Sequence, residues 1–265
     1  MAVSQYRFIL SFDFDGTLVH PEGSEFRFHP GIRKMLEQLQ QQGAALVINT
    51  GRSLSQTLQG ISQYGMAIKP SFIIAQECEI YRHGKWFSDW VDYGPWNNQA
   101  RKAHKQFMKK HQLFLEDIRY IVETQTQGEF LTGDLGDVGI VASHPEELDE
   151  ICLLINQHQQ HSPDIGYHRN GIYLRFSHAG FSKGSALKEL ARLLNLSPKQ
   201  CFAAGDNYND LSMLDRSIAD MIACPGNALA PIKQHVEKQG GFVAQGEAST
   251  GMIEALAHYF AKGAA

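Results

Sequence analysis

Unbroken apolar runs alternate with segments in which apolar residues recur every three or four positions. That alternation predicts strands and helices in turn. Tyr6 to Phe12 is the first run, with five apolar residues among its seven, as suits a buried strand covered on both faces. Ile32 to Gln42 sets Ile32, Met35, Leu36 and Leu39 at helical spacing, and Gly43 stops it. Ala44–Asn49 reads as a second buried strand, Ser53–Tyr64 as a helix and Ser71–Ala75 as a third strand. A βαβαβ order of this kind predicts an α/β fold with a parallel, doubly wound sheet.

The pattern changes after Tyr81. Segment 82–96 holds all three tryptophans and reads as hairpin material turning at His83-Gly84, and Asn97–Gln112 follows as a helix with Lys and Arg on its outer face. Strand-like pieces are expected at Arg119–Thr124, Glu129–Leu131 and Val138–Ala142. A helix runs from Pro145 to about Gln159, and Gly166–Arg169 with Gly171–Phe176 reads as a hairpin. Mixed short strands and helices predict a separate α+β domain, residues 82–179, inserted into a core made of 1–81 and 180–265.

The core pattern resumes at Ser182-Lys183-Gly184 with a helix that puts Leu187, Leu190, Ala191 and Leu194 on one face. Gln200–Ala204 is a buried strand ending in Gly205-Asp206-Asn207-Tyr208-Asn209-Asp210. A helix from about Leu211, strands at Asp220–Ala223 and Gly241–Ala244, and a terminal helix Gly251–Phe260 complete the expected elements.

Composition narrows the function classes. A net charge of −4 without a long Lys/Arg run argues against a nucleic-acid surface. No apolar run approaches the ~18 residues that would span a bilayer, and the N-terminal apolar segment has no small-residue cleavage site. Four dispersed cysteines without a CxxC pair suit free thiols in a reducing compartment. The expectation is a cytoplasmic protein with no membrane or nucleic-acid partner.

Chemistry-capable residues gather where strands end. Asp13 and Asp15 follow the first strand, and the Gly16-Thr17 turn lets both carboxylates converge at the carboxyl end of the sheet, where α/β folds hold ligands. Like charges held that close call for a cation between them, and a hard divalent ion such as Mg2+ prefers oxygen ligands. Asp206 and Asp210, around Asn209, offer more such oxygens. Thr50 supplies a hydroxyl, and Gly51 lets backbone N–H groups approach an anion. Lys183 opens a helix, where a cation opposes the dipole unless an anion balances it. Each stretch also has a plain structural reading: a solvated turn for DFDGT, a helix start for TGR, a cap for SKG, an acidic turn for GDNYND. Their joint occurrence, in this order and at these element ends, favours a site.

The chain resembles the haloacid dehalogenase superfamily of phosphotransferases, and within it the Cof-type phosphatases, in DFDGT at 13–17, NTGR at 49–52, SKG at 182–184 and GDNYND at 205–210. The tail CPGNALAPIK at 224–233 is similar too. One departure is Gln76-Glu77-Cys78, where many relatives have an Asn-Gly step leading into the inserted cap; it bears on the hinge rather than on the chemistry. The resemblance implies a Rossmann-like core with an inserted α+β cap. It implies Asp13 as nucleophile, Asp15 as acid and base, and Thr50, Gly51 and Lys183 around the phosphoryl oxygens. Asn209 would donate to a ligand or a metal-bound water, and Arg52 would contact either substrate or a structural carboxylate. Mg2+ would sit on Asp13, the backbone carbonyl of Asp15 and Asp206, with Asp210 orienting the shell.

The implied protein is a Mg2+-dependent phosphomonoester hydrolase for a small phosphorylated metabolite such as a sugar phosphate, working as a monomer or small homo-oligomer. A sugar phosphomutase is the alternative enzyme, distinguished by keeping the phosphoryl group. A silent phospho-ligand binding module is the alternative outside enzymes, and the full set of catalytic residues disfavours it. Selection among substrates is expected of the cap, through candidates such as Trp86, Trp90, Arg169 and Arg175.

Overall fold

A computed structural model describes residues 6–20, 27–84, 89–132, 138–158 and 162–260. The chain falls into two compact units, Met1–Asn97 with Lys183–Ala265, and Asn98–Ser182. The α/β class with a doubly wound core and a separate antiparallel unit is therefore what the chain adopts.

The first unit begins with β1 (Phe8–Phe12), α1 (Pro30–Gln41), β2 (Ala44–Asn49), α2 (Leu54–Gln63) and β3 (Phe72–Ala75), followed by a hairpin of β4 (Glu79–His83) and β5 (Trp90–Asp92). The second unit lies between these elements and the rest, and contains most of α3 (Trp96–Lys110), then α4 (Gln112–Gln125), β6 (Glu129–Thr132), β7 (Val138–Val141), α5 (Pro145–His158), β8 (Ile165–Asn170) and β9 (Tyr173–His178). The first unit then resumes with α6 (Lys183–Leu194), β10 (Cys201–Ala204), β11 (Met221–Cys224), α7 (Ala230–Lys238), β12 (Phe242–Val243) and α8 (Ala248–Phe260).

Eight strands form the core sheet in the order β12-β11-β10-β1-β2-β3-β4-β5. Neighbours are parallel from β12 to β3, and the β3–β4 and β4–β5 pairs are antiparallel. Every residue of β2 is buried, which is why its sequence AALVIN shows no polar alternation. Alternate residues feed opposite layers. Leu10, Phe12, Leu46 and Ile48 meet Ile32 and Leu36 of α1 and Met252 and Leu256 of α8. Ile9, Ala45 and Val47 join the layer that holds Leu187 and Leu190 of α6 and Ile232 of α7. Each fully buried Leu, Ile or Phe in these layers contributes roughly 1.5–3 kcal/mol, so the carboxyl ends of the central strands are rigidly supported.

Segment 82–96 differs from its expected place in the inserted domain. β4 pairs with β3 and β5 with β4, so the hairpin extends the core sheet. Trp90 packs into one apolar layer, and Tyr93 and Trp96 into the other. The compact second unit accordingly starts at Asn98 rather than 82. Trp86 lies outside the described residues.

In the second unit a four-stranded antiparallel sheet, β6-β7-β9-β8, buries one face. Along β7, buried Val138 and Ile140 alternate with less buried Gly139 and Val141, and Phe107, Ile118, Val122, Leu148, Ile151 and Phe176 complete its core. The strand expected at Arg119–Thr124 is instead part of α4. Leu115, Ile118 and Val122 are buried at helical spacing, and tertiary packing overrides the local run of β-branched residues. The helix expected from Leu211 is replaced by a short 3-10 turn at Tyr208–Asp210. There the Asp210 side chain takes the backbone N–H groups of Asp206 and Asn207. Among the described residues, no helix is long and apolar enough to cross a membrane.

Candidate active site

Three strand ends and one helix start converge within the first unit. Asp13 leaves β1 and donates its backbone N–H to the carbonyl of Ala204 at 2.9 Å, which ties the ends of β1 and β10 together. Gly16, at φ +78°, turns the chain back and leaves room for Asp206, since a Cβ there would lie 2.7 Å from Asp206 Oδ2. Thr17 Oγ1 then donates to Asp206 Oδ1 at 2.8 Å. Ligand atoms of Asp13, Asp206 and Asp210 all fall within 4.8 Å of one another.

Lys183, fully buried at the first position of α6, donates from Nζ to Asp13 Oδ1 at 2.5 Å and to Asp210 Oδ1 at 2.6 Å. Asn49 at the end of β2 donates through Nδ2 to the Lys183 carbonyl at 3.2 Å, which anchors the lysine backbone to the sheet. Burial works against the ammonium, but the carboxylates of Asp13, Asp210 and Glu77 outweigh it and hold the Lys183 pKa well above its ordinary value. Burial also pushes Asp13 well up, with Asp210 and Asp206 adding to the shift and Lys183 opposing it. Asp206 is pushed up to about 7 by burial and by the charge of Asp210.

Three crowded carboxylates, of which Asp13 and Asp206 have elevated proton affinity, with no sulfur or imidazole among them, make a donor set that fits a hard divalent cation. Such an ion would take over the neutralising role that protons play in its absence.

The side chain of Asp15 does not join this cluster. Arg52 Nε and Nη2 both donate to its carboxylate, each at 2.6 Å, in a bidentate fork. The guanidinium is fixed by Tyr64 Oη, which accepts from Nη2 at 3.1 Å, and by the Phe14 ring 5.3 Å away. Arg52 is thus an ion-pair partner of Asp15. Thr50 is buried, and its hydroxyl accepts the Arg52 backbone N–H at 3.2 Å.

Glu77 is an addition that the motifs do not contain. It is buried, and its Oε1 accepts from Asn209 Nδ2 at 3.0 Å. The same Oε1 lies over Gly51 so closely that a Cβ on that residue would overlap it. Gln76 and Glu77 both adopt left-handed backbone, φ 49° and 69°, a conformation that costs a non-glycine residue ~1–2 kcal/mol. The strain is held by backbone bonds to the Thr50-Gly51-Arg52 turn: Gln76 N–H to the Arg52 carbonyl at 2.9 Å and Glu77 N–H to that of Thr50 at 3.0 Å. An acidic residue two positions past β3, at the same end of the sheet as Asp13, is the signal that could have found it.

A family model described as haloacid dehalogenase-like hydrolase matches residues 10–89 and 76–248, covering most of the chain and each of these strand ends. The chain belongs to the haloacid dehalogenase-like hydrolases. The HMP-PP phosphatase of Yersinia enterocolitica is 26% identical over 260 residues, covering 86% of this chain and 87% of that protein. Among solved structures, the sucrose-phosphatase of Synechocystis sp. PCC6803, described in complex with sucrose and phosphate, superposes with a TM-score of 0.68 at 17% identity. It covers 96% of this chain and 98% of that one. A sugar phosphatase of haloacid dehalogenase subclass IIB superposes with a TM-score of 0.65 at 16% identity, over 95% of this chain and 98% of that one. The Cof-type resemblance therefore holds, and this haloacid dehalogenase-family member is a phosphatase. Phosphatases of the family generally use Mg2+ and act on small phosphorylated substrates.

Proposed function

We propose that this protein is a Mg2+-dependent phosphomonoester hydrolase that works through an aspartyl-phosphate on a small phosphorylated metabolite, with sugar phosphates the first class to test. The observation that carries it is the fully buried Lys183 bridging Asp13 and Asp210 beside Asp206, at the carboxyl ends of β1 and β10. A buried ion cluster of this kind is poor stabilisation on its own, and it suits the handling of a multiply charged phosphoryl group.

Asp13 attacks phosphorus in line and forms the acyl phosphate while the P–O bond to the leaving group breaks. Lys183 keeps Asp13 oriented and meets the charge on the phosphoryl oxygens, with Thr50, the Gly51 backbone and Asn209 as further donors. Asp15 gives a proton to the leaving oxygen and then takes one from the water that cleaves the intermediate. To reach the leaving oxygen it must exchange the guanidinium of Arg52 for the substrate. Asp13, Asp206, Asp210 and the backbone carbonyl of Asp15 would hold Mg2+, which when bound supplies positive charge against the phosphoryl oxygens.

The sugar-phosphate preference is supported by the names of the sucrose-phosphatase and the subclass IIB sugar phosphatase whose folds the chain shares over nearly its whole length. A panel of phosphorylated metabolites, assayed for released phosphate with Mg2+ and with chelator, tests the proposal. Free phosphate should accumulate from at least one sugar phosphate without a bisphosphate activator. Isomerisation of a sugar phosphate with no phosphate release would replace the hydrolase by a phosphomutase.

A further inference from the structure

The Glu77 carboxylate has no part in the chemistry above, yet it meets the groups that chemistry needs. Its Oε1 takes the amide N–H of Asn209 and lies over Gly51, two of the groups assigned to the phosphoryl oxygens. Its charge also acts on Lys183, after those of Asp13 and Asp210 and against the effect of burial. The other amide atom of Asn209, Oδ1, is buried without a hydrogen-bond partner among the described residues. The Asn209 side chain is therefore turned so that its Nδ2 faces Glu77. A carboxylate oxygen that accepts an amide N–H within the electrostatic reach of an ammonium is chemically close to a phosphoryl oxygen.

We propose that Glu77 is a built-in competing anion: its carboxylate occupies the oxyanion subsite formed by Gly51, Asn209 and Lys183, and a phosphoryl group enters by displacing it. This rests on the phosphoryl-holding roles proposed above for those three residues. Charge counting shows the consequence. Asp13, Asp206 and Asp210 are balanced by Lys183 and one divalent ion, whereas Glu77 leaves the site with a net negative charge before any substrate arrives. Inorganic phosphate, which has no leaving group to add binding energy, is the ligand most disfavoured by that charge. The cost of displacement falls equally on substrate and product; a substrate offsets it with contacts beyond its phosphate, whereas inorganic phosphate has none and is left weakly held. The strained backbone of Gln76-Glu77, pinned to the Thr50–Arg52 turn, keeps the carboxylate at this post.

The test is a calorimetric titration of inorganic phosphate, with Mg2+ present, into the wild-type chain and into Glu77→Gly and Glu77→Gln. Glycine is at ease at φ 69°, so Glu77→Gly should keep its fold, checked by circular dichroism and melting temperature. Phosphate should bind Glu77→Gly at least tenfold more tightly than wild type. It should bind Glu77→Gln, which has the same shape without the charge, at least threefold more tightly. In turnover assays the inhibition constant for phosphate should fall by the same factors. Unchanged or weaker phosphate binding in a folded Glu77→Gly would overturn the proposal. So would Glu77→Gln that binds no better than wild type, because the charge would then not be what competes. Absence of phosphate release from every ester tested would sink the phosphatase assignment separately, since the titration needs no turnover.

Discussion

Two buried carboxylates, one in each unit, show what distinguishes a chemical site from a structural one. Glu147 in α5 exposes as little surface as Asp13, though it lies less deeply in the protein. It accepts the backbone N–H of Gln127 at 2.6 Å, that of Ser143 at 2.7 Å and the Ser143 hydroxyl at 2.8 Å. Those hydrogen bonds, Ser143 first, lower its pKa. Asp13 sits among Asp206, Asp210 and Lys183, and burial with the neighbouring carboxylates drives its pKa up. Low surface exposure alone therefore marks neither. Neutral donors satisfy Glu147 completely and leave it nothing to do, whereas like charges crowd Asp13 and call for a cation and an anionic substrate.

That contrast can be broken most decisively at Asp13, the proposed nucleophile. Asp13→Asn should have no measurable phosphatase turnover, because a neutral amide cannot attack phosphorus, and Asp15→Asn should lose a factor of ~10^2–10^4. Glu147→Ala should leave the turnover of a small generic ester unchanged. Robust phosphate release by purified Asp13→Asn protein would remove Asp13 from its role.

Next in size is the central cation. Lys183→Ala leaves Asp13 and Asp210 without their shared partner and should lower stability by about 3–5 kcal/mol in chelator. Mg2+ should recover part of that loss, while turnover stays strongly depressed. Chemical denaturation of both proteins with and without Mg2+ measures this, and an unaltered midpoint in Lys183→Ala would mean the cluster is not electrostatically coupled.

The two environments should also respond to pH with opposite signs. Asp206 has a folded-state pKa raised to about 7 from an ordinary value of 3.8. Between those values the folded state binds more protons than the unfolded one. Its contribution is complete below the ordinary value and is lost as pH rises through about 7. Metal-free protein should accordingly melt at lower temperature at pH 8 than at pH 6, and Mg2+ should raise the melting temperature more at the higher pH. Equal metal-induced shifts at the two pH values would contradict the crowding of Asp13, Asp206 and Asp210.

The smallest effect belongs to Glu147, whose lowered pKa gives the reverse slope. Its contribution is present above the ordinary carboxylate range and is lost as pH falls. Glu147→Ala should cost about 1–3 kcal/mol near neutral pH, and denaturant titrations of wild type and variant should converge as the medium is acidified. A constant difference across pH would indicate lost packing rather than lost hydrogen bonds.

Much of the first unit was legible before any coordinates. The apolar runs at Phe8–Phe12, Ala44–Asn49 and Cys201–Ala204 are local patterns, and a strand buried on both faces can hardly be written another way. The acidic and Lys-bearing stretches at their ends were legible for the same reason, because a strand end or helix start is a property of a few neighbouring residues. What joined them was not. Lys183 and Asp13 are 170 positions apart, and Asn209 and Glu77 132 apart, distances at which periodicity carries no information. Only the packed sheet decided that the Asp15 side chain turns to Arg52, that the hairpin of β4 and β5 extends the core, that Arg119–Thr124 completes a helix, and that Glu77 lies over Gly51. Hydrophobic patterning specifies which face of an element is buried. Which charged groups meet beneath that burial depends on how the elements stack, and that is settled only when the whole chain packs.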